Sequence, residues 1–149
     1  MNSTKEKLVT NNKSAYHNYF IEEVIECGIV LTGTEIKSIR AGKMSINESY
    51  CDVKDNEMFL VNSHISVYDK GNIFNHKPVR DRKLLLHKKE IITLEYKVTK
   101  SGYTLIPLKV VLRNGICKVD IGLAKGKKLY DKRESEKSRA VEKELREKY

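Results

Sequence analysis

The chain has 149 residues, 29 Lys+Arg against 20 Asp+Glu, a formal net charge of +9 and 40% hydrophobic residues. That length suits one domain with one core, no ~20-residue apolar run is available for a membrane helix, and the polar start Met1-Asn2-Ser3-Thr4-Lys5 lacks the apolar stretch of a secretory signal. Three cysteines (Cys27, Cys51, Cys117) cannot all pair, so a disulfide scaffold is not expected and a reducing cytoplasm is.

In chain order, residues 1–11 are polar and expected to be loose. Strand-like residues follow in three pieces, Tyr19–Ile21, Val24–Ile25 and Ile29–Leu31, with Gly28 as a break or bulge. Thr34 is a candidate N-cap for a short helix that carries Ile36 and Ile39 and stops at Gly42. Ser49–Val53 and Met58–Val61 alternate around a Lys54–Glu57 turn and predict a hairpin. Tyr68–Arg82 is polar and reads as a loop. His87–Val98 places Ile91, Leu94 and Val98 on one helical face, with Ile92 beside it. Tyr103–Leu112 and Ile116–Gly122 flank Asn114-Gly115, the strongest hairpin signal in the chain. About six antiparallel strands and two or three short helices predict a mainly β protein, a small closed barrel or a sandwich.

The charge is unevenly placed. Residues 1–124 carry 19 basic and 14 acidic side chains, whereas residues 125–149 carry 10 and 6. The last stretch has too few apolar residues to offset the entropy of ordering it. It is expected to be a disordered basic tail. The i,i+4 pairs Glu142–Arg146 and Glu144–Lys148 favour a helix once a charged partner is bound. A second basic focus, Lys77–Lys89, sets six basic residues against Asp81 alone. Two such foci point to a polyanionic partner.

Catalytic and metal patterns are missing. His17, His64, His76 and His87 form no H-x-x-x-H, and the cysteines form no C-x-x-C. Gly122–Lys128 resembles a phosphate loop but has one residue too few between its glycines, and Lys128 stands where a hydroxyl must bind magnesium. Cys27 between Glu26 and Gly28 reads as a packed strand cysteine. No enzyme, metal or cofactor is expected. Binding remains, with RNA, single-stranded DNA and ribosomal protein all open on composition.

Three ordered blocks narrow this. Glu26–Gly42 (ECGIVLTGTEIKSIRAG), Pro78–His87 (PVRDRKLLLH) and Cys117–Val119 followed by Gly122–Lys128 and Asp131-Lys132-Arg133 resemble the signature blocks of the SsrA-binding protein family, SmpB. Asn12, Lys13 and His17 resemble its N-terminal N-K-x-A-x-H stretch. The resemblance implies an oligonucleotide-binding (OB)-like barrel over residues 1–124, followed by a tail over residues 125–149 that becomes helical on the ribosome. It implies binding to the tRNA-like domain of transfer-messenger RNA (tmRNA) and delivery of that RNA to stalled bacterial ribosomes. The tail would reach the decoding centre and mRNA channel, against 16S rRNA. Elongation factor Tu would be met through the shared RNA, with the protein a cytoplasmic monomer.

Residue by residue, the resemblance implies RNA contact for Glu26, Leu85 and Lys118. Asn12, Lys13, His17, Arg82 and Lys83 support it. An acid on an RNA face is sensible where it accepts from base amino groups or a 2′-hydroxyl. Leu85 belongs either to the core or to the RNA face, since three consecutive strand leucines cannot all point inward. In the tail, Gly126, Lys127, Lys128, Asp131, Lys132 and Arg133 match the family's G-K-K and D-K-R motifs. Tyr130 supplies a ring for stacking. Cys27 stands where the family usually has alanine.

Overall fold

The computed structural model describes residues 5–70 and 74–127. Among them the order is β1 (Glu6–Asn11), α1 (Ala15–Asn18), β2 (Tyr19–Ile29), α2 (Gly33–Arg40), β3 (Met44–Ser45), β4 (Tyr50–Lys54), β5 (Glu57–Val61) and β6 (His64–Ile65). Then come β7 (Arg82–Leu85), α3 (Lys88–Ser101), β8 (Thr104–Arg113) and β9 (Ile116–Gly126).

Both expected hairpins form, and their turns explain why. Asn114 (φ 52°) and Gly115 (φ 82°) take the left-handed backbone that a two-residue turn between twisted strands needs. Asp55 (φ 51°) and Asn56 (φ 63°) do the same between β4 and β5. The three strand fragments expected between Tyr19 and Leu31 are one 11-residue strand, β2. Its irregularity lies between Ile21 and Glu23, not at Gly28.

The helix expected from Thr34 is α2, and its cap is Thr32. The Thr32 hydroxyl accepts from the Glu35 N–H, and the Glu35 carboxylate accepts from the Thr32 N–H at 2.8 Å. This reciprocal cap satisfies two backbone donors that a helix start leaves unpaired. Gly42, with φ 76°, follows the helix end. In α3, Ile91 and Leu94 are buried while Ile92 faces solvent. The apolar face is therefore the one the spacing indicated.

Seven strands make one antiparallel sheet in the order β1-β8-β9-β2-β7-β5-β4, and β3 and β6 pair separately. The sheet curls so that β4 packs across against β8, but it does not close. The reason is β1. Residues 6–11, expected to be loose, are a strand paired with β8 from Glu6↔Arg113 to Asn11↔Lys109. With β9 on its other side, β8 has no free edge left for β4. The expected closed barrel is thus an open, strongly curled sheet, and the expected six strands are seven in that sheet. The concave side holds the core. Ile39, Met58, Leu60, Ile65, Leu84, Val110, Val119 and Ile121 are at most 1% exposed. Ala15, Ile106, Leu108 and Ala124 form a smaller cluster under α1.

Among the described residues, no helix is long and apolar enough to cross a membrane. Strand β9 continues to Gly126, two residues past the expected domain boundary. Lys128, Tyr130, Asp131, Lys132 and Arg133 lie outside the described residues, as does nearly all of the expected tail.

Candidate nucleic-acid interface

The centre of the sheet's outer face is set by register. Gly28 of β2 lies opposite Lys118 of β9 on one side and Leu85 of β7 on the other. Strand alternation sends Cys27, Leu84, Cys117 and Val119 into the core, where none is more than 5% exposed. The same alternation sends Glu26, Leu85 and Lys118 outward. Three residues drawn from three separate sequence blocks therefore meet on one surface. Leu85 is 52% exposed beside the buried Leu84, which decides between its two expected roles in favour of the surface.

Gly28 makes the row a groove. A Cβ at this position would sit 3.3 Å from Leu85 Cδ1, tighter than an ordinary contact. The groove, about 330 Å³, is lined by Glu26, Gly28, Leu85, Leu86, His87, Glu90 and Lys118, with Cys27 at its floor. The Cys27 Sγ–H donates to the Val119 carbonyl at 3.3 Å. Burial, with smaller contributions from Asp120 and Glu26, pushes its thiol up to about 12. It is a packed core thiol, not a nucleophile.

Glu26 is held by Arg113. Arg113 Nη1 donates to both carboxylate oxygens, at 2.8 and 2.6 Å, while Nη2 donates to Glu6 at 2.8 Å. The hydrogen bonds it donates to Glu6 and Glu26 raise the Arg113 pKa, and the one Glu6 accepts lowers that of Glu6. The Glu26–Arg113 side chains are 37% and 36% exposed. An exposed pair of this kind contributes only ~0–1 kcal/mol, so an incoming donor can replace the arginine. Among the described residues, Lys118 has no ion-pair partner, and its ammonium is available to a phosphate.

A second groove, about 460 Å³, continues the surface along β2 and β9 and includes Asn12, Lys13, Tyr16, Val24, Lys109 and Asp120. Glu26 and Asp120 are register partners, so the two grooves adjoin. Burial pushes the Asp120 carboxyl up, and Lys109, 3.9 Å away, opposes that shift. Lys13 is exposed in this groove, and His17 is exposed on α1 next to the lining residue Tyr16. Asn12 is not. It is 9% exposed, its N–H donates to Leu108 O at 2.8 Å, its Nδ2 donates to Pro107 O at 3.2 Å, and its Oδ1 accepts from Ser14. Asn12 fixes the chain that presents Lys13 and His17, which corrects its expected role as an RNA contact.

Arg82 requires a larger correction. Its side chain is 0% exposed. Nε donates to Glu35 Oε2 at 2.6 Å, Nη1 to Ser63 O and Oγ, and Nη2 to Lys77 O and Pro78 O. Every N–H of the guanidinium has an internal acceptor, and none remains for RNA. Arg80 also turns onto Glu35. The basic focus is therefore partly an internal clamp. Burial works to raise the Glu35 carboxyl, but hydrogen bonds from Arg80, the Thr32 N–H and Arg82 outweigh it and bring the pKa to about 2. Glu35 was missed as an organising residue; the T-x-x-E spacing of Thr32 and Glu35 was its sequence signal. Lys83 is exposed on the outer face beside Leu85 and pairs with Glu57 at 2.7 Å.

At the end of β9, Lys127 donates to Tyr16 O at 2.9 Å, and its ammonium lies 5.1 Å from the Phe20 ring centre. The preceding Gly126 is not sterically required, since an added Cβ would meet Tyr19 only at 3.8 Å. Among the described residues, no group of three or more His, Cys, Asp and Glu side chains could hold a metal ion.

A curled antiparallel sheet with a grooved, lysine-bearing outer face is the build of a small β-sheet nucleic-acid-binding domain. Residues 9–149 match the family model described as SmpB protein. The chain is 57% identical to the SsrA-binding protein of Shouchella clausii over 143 residues, covering 96% of this chain and 92% of that one. It is 56% identical to the SsrA-binding protein of Caldicellulosiruptor bescii over 142 residues, with coverage of 95% and 90%. A solved structure described as "tmRNA-SmpB: a journey to the center of the bacterial ribosome" aligns with a TM-score of 0.67 and 48% identity, covering 88% of this chain and 92% of that one. The chain belongs to the SmpB family.

Proposed function

We propose that the protein binds the tRNA-like domain of tmRNA through the outer face of β9, β2 and β7 and brings that RNA to stalled ribosomes for trans-translation. The observation that carries this reading is the convergence of Glu26, Leu85 and Lys118 around the side-chain-free Gly28. Gly28 leaves room for a sugar–phosphate backbone to approach the sheet. Lys118 neutralises a phosphate. Leu85 offers an apolar surface to an unstacked base or ribose. Glu26 exchanges Arg113 for a base amino group or a 2′-hydroxyl. Lys13, His17 and Lys83 extend the contact along the same face.

Residues 125–149 act on the ribosome rather than on tmRNA. Gly126, Lys127, Lys128, Tyr130, Asp131, Lys132 and Arg133 form the first part of that contact, in the mRNA channel near the decoding centre and against 16S rRNA. The protein works as a cytoplasmic monomer and contributes binding, not catalysis. Elongation factor Tu meets it through the shared RNA. The names of its relatives, and the ribosomal setting of the solved neighbour, support this reading.

Gel-shift titrations against tmRNA, elongator tRNA and oligo(dT) at several salt concentrations test it. Tight binding to tmRNA, with weaker and more salt-sensitive binding to the other two, is expected. Equal affinity for all three would make the protein a general single-strand binder.

A further inference from the structure

A third groove of about 490 Å³, lined by Phe20, Ile21, Glu22, Tyr103 and Lys125, opens where β2 begins and β9 ends. Its volume is within the ~300–1,000 Å³ of small-ligand sites. Phe20 is the register partner of Lys125, whereas Gly28 is that of Lys118. The two grooves are thus about 25 Å apart along β2, at ~3.3 Å per residue. They also lie on different sides of the sheet: Lys125, two residues beyond the core residue Leu123, shares its face, whereas Lys118, between the buried Cys117 and Val119, points outward.

The groove has the parts that hold an unstacked base. Phe20 and Tyr103 supply ring surface, with Phe20 46% exposed. Lys125 places its ammonium 4.6 Å from the Tyr103 ring centre, and Lys127 lies 5.1 Å from that of Phe20. Two cations against two rings give the pairing of stacking surface with phosphate-neutralising charge that single-strand sites use. Glu22 is the one acid in the lining, and its carboxylate beside Tyr103 raises that hydroxyl's pKa. A carboxylate at the edge of a stacked base accepts from amino groups and repels carbonyl oxygens.

We propose that this groove is a second RNA site, taking one unstacked base with an exocyclic amino group between Phe20 and Tyr103, with its phosphates on Lys125 and Lys127. The charge complementarity of the two lysines and the continuity of Lys125 with the tail motif at Gly126–Lys128 select RNA as the occupant. The proposal extends the RNA-binding reading but uses none of the outer-face residues, so the two fail separately.

The test is fluorescence anisotropy with the full-length chain and short labelled oligocytidylate, oligoadenylate and oligouridylate, alongside tmRNA, with Phe20→Leu and Glu22→Gln variants checked for native melting. Stacking losses of the usual size predict that Phe20→Leu weakens oligocytidylate binding about 5- to 100-fold. Its tmRNA affinity should stay within about twofold, because the outer-face contacts are intact. Oligocytidylate and oligoadenylate should bind about threefold or more tighter than oligouridylate, and Glu22→Gln should erase that preference. Unchanged oligonucleotide affinity in Phe20→Leu, no preference among the three in the native chain, or a change confined to self-association in sedimentation would each overturn the proposal. None of these outcomes bears on tmRNA recognition by Glu26, Leu85 and Lys118.

Discussion

Arg82 and Glu35 meet at 2.6 Å with both side chains wholly out of solvent. They join the first turn of α2 to the strand that carries Leu85, across 47 residues of sequence. Because Arg80 and the Thr32 N–H use the same carboxylate, this cluster fixes where β7, and so one wall of the groove, lies relative to the rest of the sheet.

Its stability signature is acidic. The folded Glu35 pKa of about 2 lies below its ordinary 4.5. The group therefore contributes fully above pH ~4.5, and that contribution is lost as pH falls through about 2. The shift corresponds to about 3 kcal/mol at neutral pH. Urea denaturation across that pH range should show the loss. Glu35→Gln should flatten the dependence and cost about 3–5 kcal/mol at pH 7, since it leaves the buried Arg82 guanidinium without its counter-ion. An unchanged acid profile in the variant would contradict the assignment.

Leu84 and Leu85 separate packing from recognition. Leu84→Ala empties a core position that is 1% exposed and should cost about 2–5 kcal/mol of stability, with the folded fraction binding RNA normally. Leu85→Ala should change stability by less than about 1 kcal/mol and weaken tmRNA binding. Paired melting and binding curves check both. Equal effects of the two substitutions on stability would mean that Leu85 is core.

Lys118→Ala should weaken tmRNA binding by about 1–3 kcal/mol, the range for a charge-assisted contact. It should also reduce the slope of log affinity against log salt by about one unit. The slope matters more than the affinity, because a folding defect lowers affinity without removing a counterion. An unchanged slope would remove Lys118 from the phosphate contacts.

Deleting residues 128–149 keeps β9 and the Lys127 contact with Tyr16 intact. That truncation should leave tmRNA affinity within about twofold, since none of the expected outer-face contacts is lost. It should abolish tagging in a stalled-ribosome translation assay. A large loss of tmRNA affinity would place the tail on the RNA-binding face instead.

The hairpins were legible because their turns are local. Asp55-Asn56 and Asn114-Gly115 need only four residues to declare a left-handed backbone. Strand β2 was legible only in pieces, because the exposed Glu22, Glu23 and Glu26 interrupt the apolar pattern. Strand β1 was not legible at all: EKLVTN has little apolar content, and the strand forms because β8 presents an open edge. The site divided in the same way. Glu26, Leu85 and Lys118 were reachable through a motif resemblance, but their meeting at Gly28 depends on register across three strands. Arg82 was misassigned because a basic run does not reveal which members have a buried acid waiting; Glu35, far away in sequence, decides that.

The central claim is that the row Lys118–Gly28–Leu85, with Glu26 beside it, recognises tmRNA. The most direct test is recovery of RNA bound to the protein in cells, with sequencing, for the native chain and for a variant combining Glu26→Ala, Leu85→Ala and Lys118→Ala. The native chain should return tmRNA as the dominant species, and the variant should lose it while melting as a folded protein. A tmRNA yield unchanged by the three substitutions would contradict the account.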